Sequence, residues 1–122
     1  MSWVDQAVEK TILRHVLGER PDDALLGEEI GAIPGFSGAR WVVDGIDGTH
    51  NYAAGLPGWG TIIALERDDV GVVGLVTAPA LGRRWWAVRG GGAWTAAGDS
   101  SVQPLRCSDT ATLDGAKVVV IP

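Results

Sequence analysis

Two carboxylates and a glycine-threonine pair stand at the end of a hydrophobic run in Arg40-Trp41-Val42-Val43-Asp44-Gly45-Ile46-Asp47-Gly48-Thr49. These residue types suit a hard divalent cation: Mg²⁺ takes oxygen ligands and is usually held by one or two carboxylates with water and substrate phosphate. Asp44 and Asp47 supply that charge if the backbone curls so that both side chains face one point. The Ile46 carbonyl between them then offers a third oxygen. The amides of Gly48 and Thr49 follow at once, and a helix starting there would present them to a phosphate. The plainer reading of these residues is an Asx turn that closes a strand.

Asp44-Gly45-Ile46-Asp47-Gly48-Thr49-His50-Asn51-Tyr52 resembles the signature of the inositol monophosphatase family, usually written Asp-Pro-x-Asp-Gly-Thr-x-Asn-Phe. Leu26-Gly27-Glu28-Glu29 is similar to the family's Gly-Glu-Glu element. Asp5-Gln6-Ala7-Val8-Glu9-Lys10 is similar to its Thr-x-x-Asp helix start, with Ser2 and Val4 where a threonine is expected. The stretches from Val73 to Pro79 and from Arg84 to Ala87, ending in Gly90-Gly91-Gly92-Ala93-Trp94, are similar to the bacterial histidinol-phosphatase branch.

The resemblance implies a Mg²⁺-dependent phosphomonoester hydrolase acting by direct attack of water on histidinol phosphate or inositol monophosphate, a small phosphorylated alcohol. Glu28, Asp44, Asp47 and the Ile46 carbonyl would hold the metal. Asp5 and Thr49 would orient and deprotonate the water, and the Gly48 and Thr49 amides would cradle the phosphate. Residues that grip the alcohol are unassigned. The family pattern also includes an extra first helix and a second half with a Trp-Asp element and a further Asp ligand. The expectation is therefore one partial domain over residues 1–122, the front portion of a larger phosphatase with an apolar sheet face uncovered. Gly45 departs from the family's proline, which loosens the loop by roughly 0.4–1 kcal/mol through the unfolded state.

Each role has a plainer rival. Glu28 and Glu29 in isolation read as a solvated pair, and Asp5 as an acid stabilised by the helix dipole. His50 sits at the motif's variable position, where an exposed loop histidine competes with a substrate contact; His15 belongs on a helix surface. Trp3, Trp41, Trp59 and Trp94 read as core or interface aromatics. Trp85 and Trp86 should point to opposite sheet faces, one of them into the core. Gly90-Gly91-Gly92 reads as a tight turn because it lacks the strand-to-helix setting of a nucleotide loop. A truncated homologue that binds metal weakly, or serves only as an association partner, is the rival for the whole chain. A Ca²⁺ module is disfavoured because the acidic spacing lacks the EF-hand alternation and closing Glu.

The elements that must position these residues begin with a helix. Val4, Val8, Ile12 and Val16 recur at helical spacing with Leu13 and Leu17 beside them. Ser2 with Asp5 makes a start of capping-box type, and Gly18 a stop. Arg20 to Asp23 and Ile30 to Arg40 read as loops. Strands are expected over Arg40–Val43, Thr61–Glu66, Val72–Pro79 and Arg84–Arg89, with further strands at Val102–Leu105 and Lys117–Ile121. Short turns at Arg67-Asp68-Asp69 and Ala80-Leu81-Gly82 make an antiparallel meander. The fold class is α+β, layered helices against a mostly antiparallel sheet.

Composition bounds the rest. A chain of 122 residues is one domain by length, and 46% apolar with 20% charged residues is ordinary for a globular protein. Ten basic against 15 acidic residues give a net charge of −5, which offers no basic footprint for nucleic acid. The lone Cys107 forms no internal disulfide and reads as a buried thiol. The apolar stretch from Val70 to Leu81 is too short to span a membrane, and no leader pattern opens the chain, so a cytoplasmic setting is expected. Homo-oligomerisation stays open.

Overall fold

The computed structural model describes residues 3–118. Helix α1 runs over Trp3–Glu19, passing Gly18 by one residue. Its apolar stripe of Val4, Val8, Ile12 and Val16 is half-buried, and His15 is exposed as expected. The most deeply buried side chains of α1 are acids: Asp5 at 2% and Glu9 at 0% exposure. Ser2, the expected cap, lies outside the described residues.

An eight-stranded sheet forms the body of the chain, in the order β2-β1-β3-β4-β5-β6-β7-β8. Its strands are β1 Ala24–Gly27, β2 Gly31–Ile33, β3 Ala39–Asp47 and β4 Gly60–Arg67. β5 Val70–Ala78, β6 Arg83–Val88, β7 Gly92–Ala97 and β8 Gln103–Leu105 complete it. A short helix, α2 over Thr49–Ala53, follows β3. From β3 onward each strand pairs antiparallel with the next, the expected meander. β1 lies parallel to β3. Asp68 and Asp69 close β4 onto β5 with φ of 50° and 61°, the two left-handed positions of a type I′ hairpin turn.

The α+β class holds, with three strands beyond those expected. β2 falls in the stretch read as loop, β1 is too short to show alternation, and β7 follows the glycine run whose turn hid it. β3 reaches Asp47 where a strand ending at Val43 was expected. Lys117 and Val118 lie in no strand, and the rest of the strand expected there falls outside the described residues.

Among the described residues the buried apolar side chains are few: Leu25, Ala39, Val43, Ile46, Ala78 and Ala96. Trp85 and Trp86 are both half-buried, so neither is the core residue expected of one of them. Trp3 is 81% exposed, because it opens α1 beyond the sheet contact, and is not a core aromatic. Cys107 is exposed, correcting the buried-thiol reading: it follows β8 in a run of exposed residues. α1 shares an apolar groove with Trp41, Ile63 and Leu65 on one sheet face. Large apolar side chains remain open to solvent on the meander, among them Val76 at 37% and Val88 at 43%.

A buried carboxylate holds the start of the sheet together. Asp23, 2% exposed, accepts hydrogen bonds from the Ser37 hydroxyl at 2.6 Å and the Trp41 indole N–H at 2.9 Å, and from the Arg20 guanidinium. Among the described residues no helix is long and apolar enough to cross a membrane.

Candidate functional site

In a regular strand residues three apart point to opposite faces. Asp44 and Asp47 escape that rule through a bulge. Asp44 pairs with Ile62 and Asp47 with Gly60, so three steps along β3 match two along β4. The extra residue puts both aspartates on the face that Ile62 and Gly60 share. The Thr61 hydroxyl donates to the Gly45 carbonyl at 2.8 Å and pins the bulge from β4.

Glu28 reaches the same place from β1. The parallel register sets Gly27 beside Val43, and the Glu28 N–H continues it by donating to the Val43 carbonyl at 3.2 Å. Glu28 therefore stands next to Asp44. Asp44 is pushed up to about 6, first by burial, then by the charge and hydrogen bond of Glu28, then by the charges of Asp47 and Asp5. Its Oδ1 atom is buried with no hydrogen-bond donor facing it. Glu28 and Asp47 are exposed at the rim. Among the described residues no three His, Cys, Asp or Glu side chains meet at one point. Asp44 nonetheless feels the charges of Glu28, Asp47 and Asp5 together.

Both polar groups of the Ile46 peptide are engaged. The Asp5 Oδ1 atom accepts the Ile46 N–H at 3.1 Å, and the Thr49 hydroxyl donates to the Ile46 carbonyl at 3.0 Å. Asp5 and Thr49 thus meet on one residue. Burial raises the Asp5 carboxyl above its usual range, as do the charges of Glu29 and Glu9, while the Ile46 N–H opposes them. Gly48 precedes α2 at φ 83°, a left-handed turn in which a Cβ would lie 2.8 Å from the Gly58 carbonyl oxygen. The N–H groups of a first helical turn have no acceptor within the helix, so Gly48 and Thr49 sit where an anion can be received. His50 is exposed, and Asn51 donates to the Gly58 carbonyl at 2.7 Å, closing the loop after α2.

This bulge, hairpin and helix start carry every residue of the signature. The sequence pattern of the inositol monophosphatase family matches residues 1–121. The chain belongs to that family. A histidinol-phosphatase of Mycobacterium tuberculosis is 45% identical over 93% of this chain and 44% of its own length. One from Streptomyces coelicolor is 48% identical over 95% of this chain and 45% of its own. The crystal structure of inositol monophosphatase II from Staphylococcus aureus matches with a TM-score of 0.78 at 30% identity, covering 90% of this chain and 40% of that one. The chain thus spans less than half the length of these family members.

Gly45, where the family signature has proline, does more than relax a loop. A Cβ at Gly45 would fall 2.5 Å from Asp5 Oδ1 and 2.8 Å from the Asp5 carbonyl oxygen, so its absence lets α1 settle onto β3. The donor set fits the cation that the family resemblance implies. It is all oxygen, three carboxylates and one neutral carbonyl, and the buried Asp44 Oδ1 has no hydrogen-bond donor of its own. Sequence reasoning missed Glu9, Glu29 and Thr61. Glu9 lies one helical turn from Asp5, a spacing that could have marked it. Glu29 is half-buried with Oε2 buried and unpartnered, not a solvated acid. Thr61 enters only through the register of β3 with β4.

Proposed function

We propose that the chain supplies the metal- and phosphate-handling part of a Mg²⁺-dependent phosphomonoesterase that uses water as its nucleophile. The observation carrying this reading is the buried, donorless Asp44 Oδ1 beside Glu28, on a bulge that turns Asp47 to the same side. Asp44, Asp47, Glu28 and the Ile46 carbonyl are the ligands. When bound, the cation neutralises phosphoryl oxygens and makes a water more acidic. The Gly48 and Thr49 amides receive the phosphate. Asp5, whose raised proton affinity suits a base, takes the proton of the attacking water while the Thr49 hydroxyl orients it. Removing such a base is expected to lower kcat by about 10²- to 10⁴-fold.

Histidinol phosphate is the favoured substrate, because relatives named histidinol-phosphatase share 45% and 48% identity with this chain. Inositol monophosphate is the runner-up. The setting is cytoplasmic, with no nucleic acid or membrane partner. A second reading is favoured by the large apolar side chains open to solvent on the meander: a non-catalytic homologue that binds metal weakly or associates through its sheet. Phosphate release from both substrates with Mg²⁺, for the wild type and Asp44→Asn, separates the readings. Metal-dependent turnover lost in the variant supports the enzyme; no turnover at any Mg²⁺ concentration supports the second reading.

A further inference from the structure

The Glu9 carboxylate is fully buried and takes no part in the roles assigned above. Both its oxygens are engaged by one short segment. The Glu29 N–H donates at 3.2 Å to Oε1 and 3.1 Å to Oε2, and the Ile30 N–H donates at 3.0 Å to Oε2. These amides belong to the loop that closes the β1–β2 hairpin, between the paired residues Gly27 and Gly31. Gly27 leaves the room that Glu9 occupies: a Cβ there would fall 2.5 Å from Glu9 Oε2. Glu28 opens the same loop. A carboxylate accepting backbone N–H groups forms charge-assisted hydrogen bonds, about twice as strong as neutral ones. With the amides of Glu29 and Ile30 held from α1 and that of Glu28 held by β3, the backbone from which the Glu28 side chain departs is fixed beside Asp44.

We infer that Glu9 is a positioning residue for the cation site: it fixes the hairpin loop so that Glu28 faces Asp44. This role rests on Glu28 and Asp44 being cation ligands. An ordinary fold-stabilising acid would change the melting temperature and leave metal affinity alone; a positioning residue must change the affinity.

The test titrates Mg²⁺ and Mn²⁺ calorimetrically into the wild-type chain, Glu9→Gln and Gly27→Ala, with circular dichroism as the folding control. Amide exchange at Glu29 and Ile30 is followed by NMR. Glutamine keeps the size of Glu9 but has one uncharged acceptor oxygen. Outer-shell partners of this kind change metal affinity by about 10- to 100-fold, and that weakening is expected for Glu9→Gln, with faster exchange at both amides. Gly27→Ala crowds the same carboxylate and is expected to weaken binding likewise, so it carries the test if Glu9→Gln does not fold. Unchanged affinity in a folded variant overturns the role of Glu9 and leaves the cation site standing. A flat titration of the wild type overturns the cation site, and the role of Glu9 with it.

Discussion

A carboxyl that protonates more readily in the fold than in the open chain weakens the fold when it ionises. Asp44 is such a group, raised from 3.8 to about 6. Its contribution to stability is complete below 3.8 and lost as pH rises through about 6. Without divalent cation, Asp44→Asn is therefore expected to melt above the wild type at pH values beyond 6, and Mg²⁺ should reverse that order. Melting curves across pH, with and without Mg²⁺, check this; coincident curves for the two proteins would refute it. Asp23 behaves in the opposite sense. Hydrogen bonds from Arg20 and Ser37 lower it to about 2, so its contribution is present above 3.8 and lost as pH falls through 2. Arg20 is 45% exposed, and its ion pair adds little. The Ser37 and Trp41 hydrogen bonds matter more, and Asp23→Ala is expected to lower stability by about 1.5–3 kcal/mol, measured by urea unfolding.

At the scale of elements, the contact of α1 with β3 depends on a missing side chain. Gly45→Ala drives a Cβ against Asp5, and forcing atoms into a packed contact destabilises by about 1–3 kcal/mol. Denaturant unfolding measures the loss, and a variant as stable as the wild type would show that the helix yields without strain. The helix and the meander were legible because apolar spacing and turn residues repeat over many positions. The short strands β1 and β2 were not, because they carry too few residues for a period to show, and their placement depends on pairing with β3. The site residues were readable as a motif, yet the curl that the motif required is a bulge, visible only as a mismatch of register against β4. Glu9 was hidden for another reason. An acid on an amphipathic helix is expected in water, and only the amides of a distant hairpin make its burial tolerable.

At the scale of the whole molecule, the small set of buried apolar residues contrasts with the breadth of apolar sheet in contact with water. Val73, Val76, Val88 and Leu105 are all more than one third exposed. Val73 and Val88 pair on the face that carries α1, and Val76 and Leu105 lie on the opposite face. Exposed apolar sheet of this kind marks an association site or an aggregation liability. Light scattering is expected to show self-association that increases with concentration, and Val76→Lys should suppress it without lowering the melting temperature; a monomeric wild type would refute this. The parallel pairing of β1 with β3 also bears on how the molecule comes together in time. Neighbouring hairpins close quickly through tight turns, whereas parallel neighbours require a wider crossover. Trp85, Trp86 and Trp94 lie in the meander, so during refolding most of the tryptophan fluorescence change should precede the return of the response to added Mn²⁺, because Glu28 meets Asp44 only when that crossover is made. Capture of the cation would then be the last event to mature, a seal on the finished fold and not a seed for it.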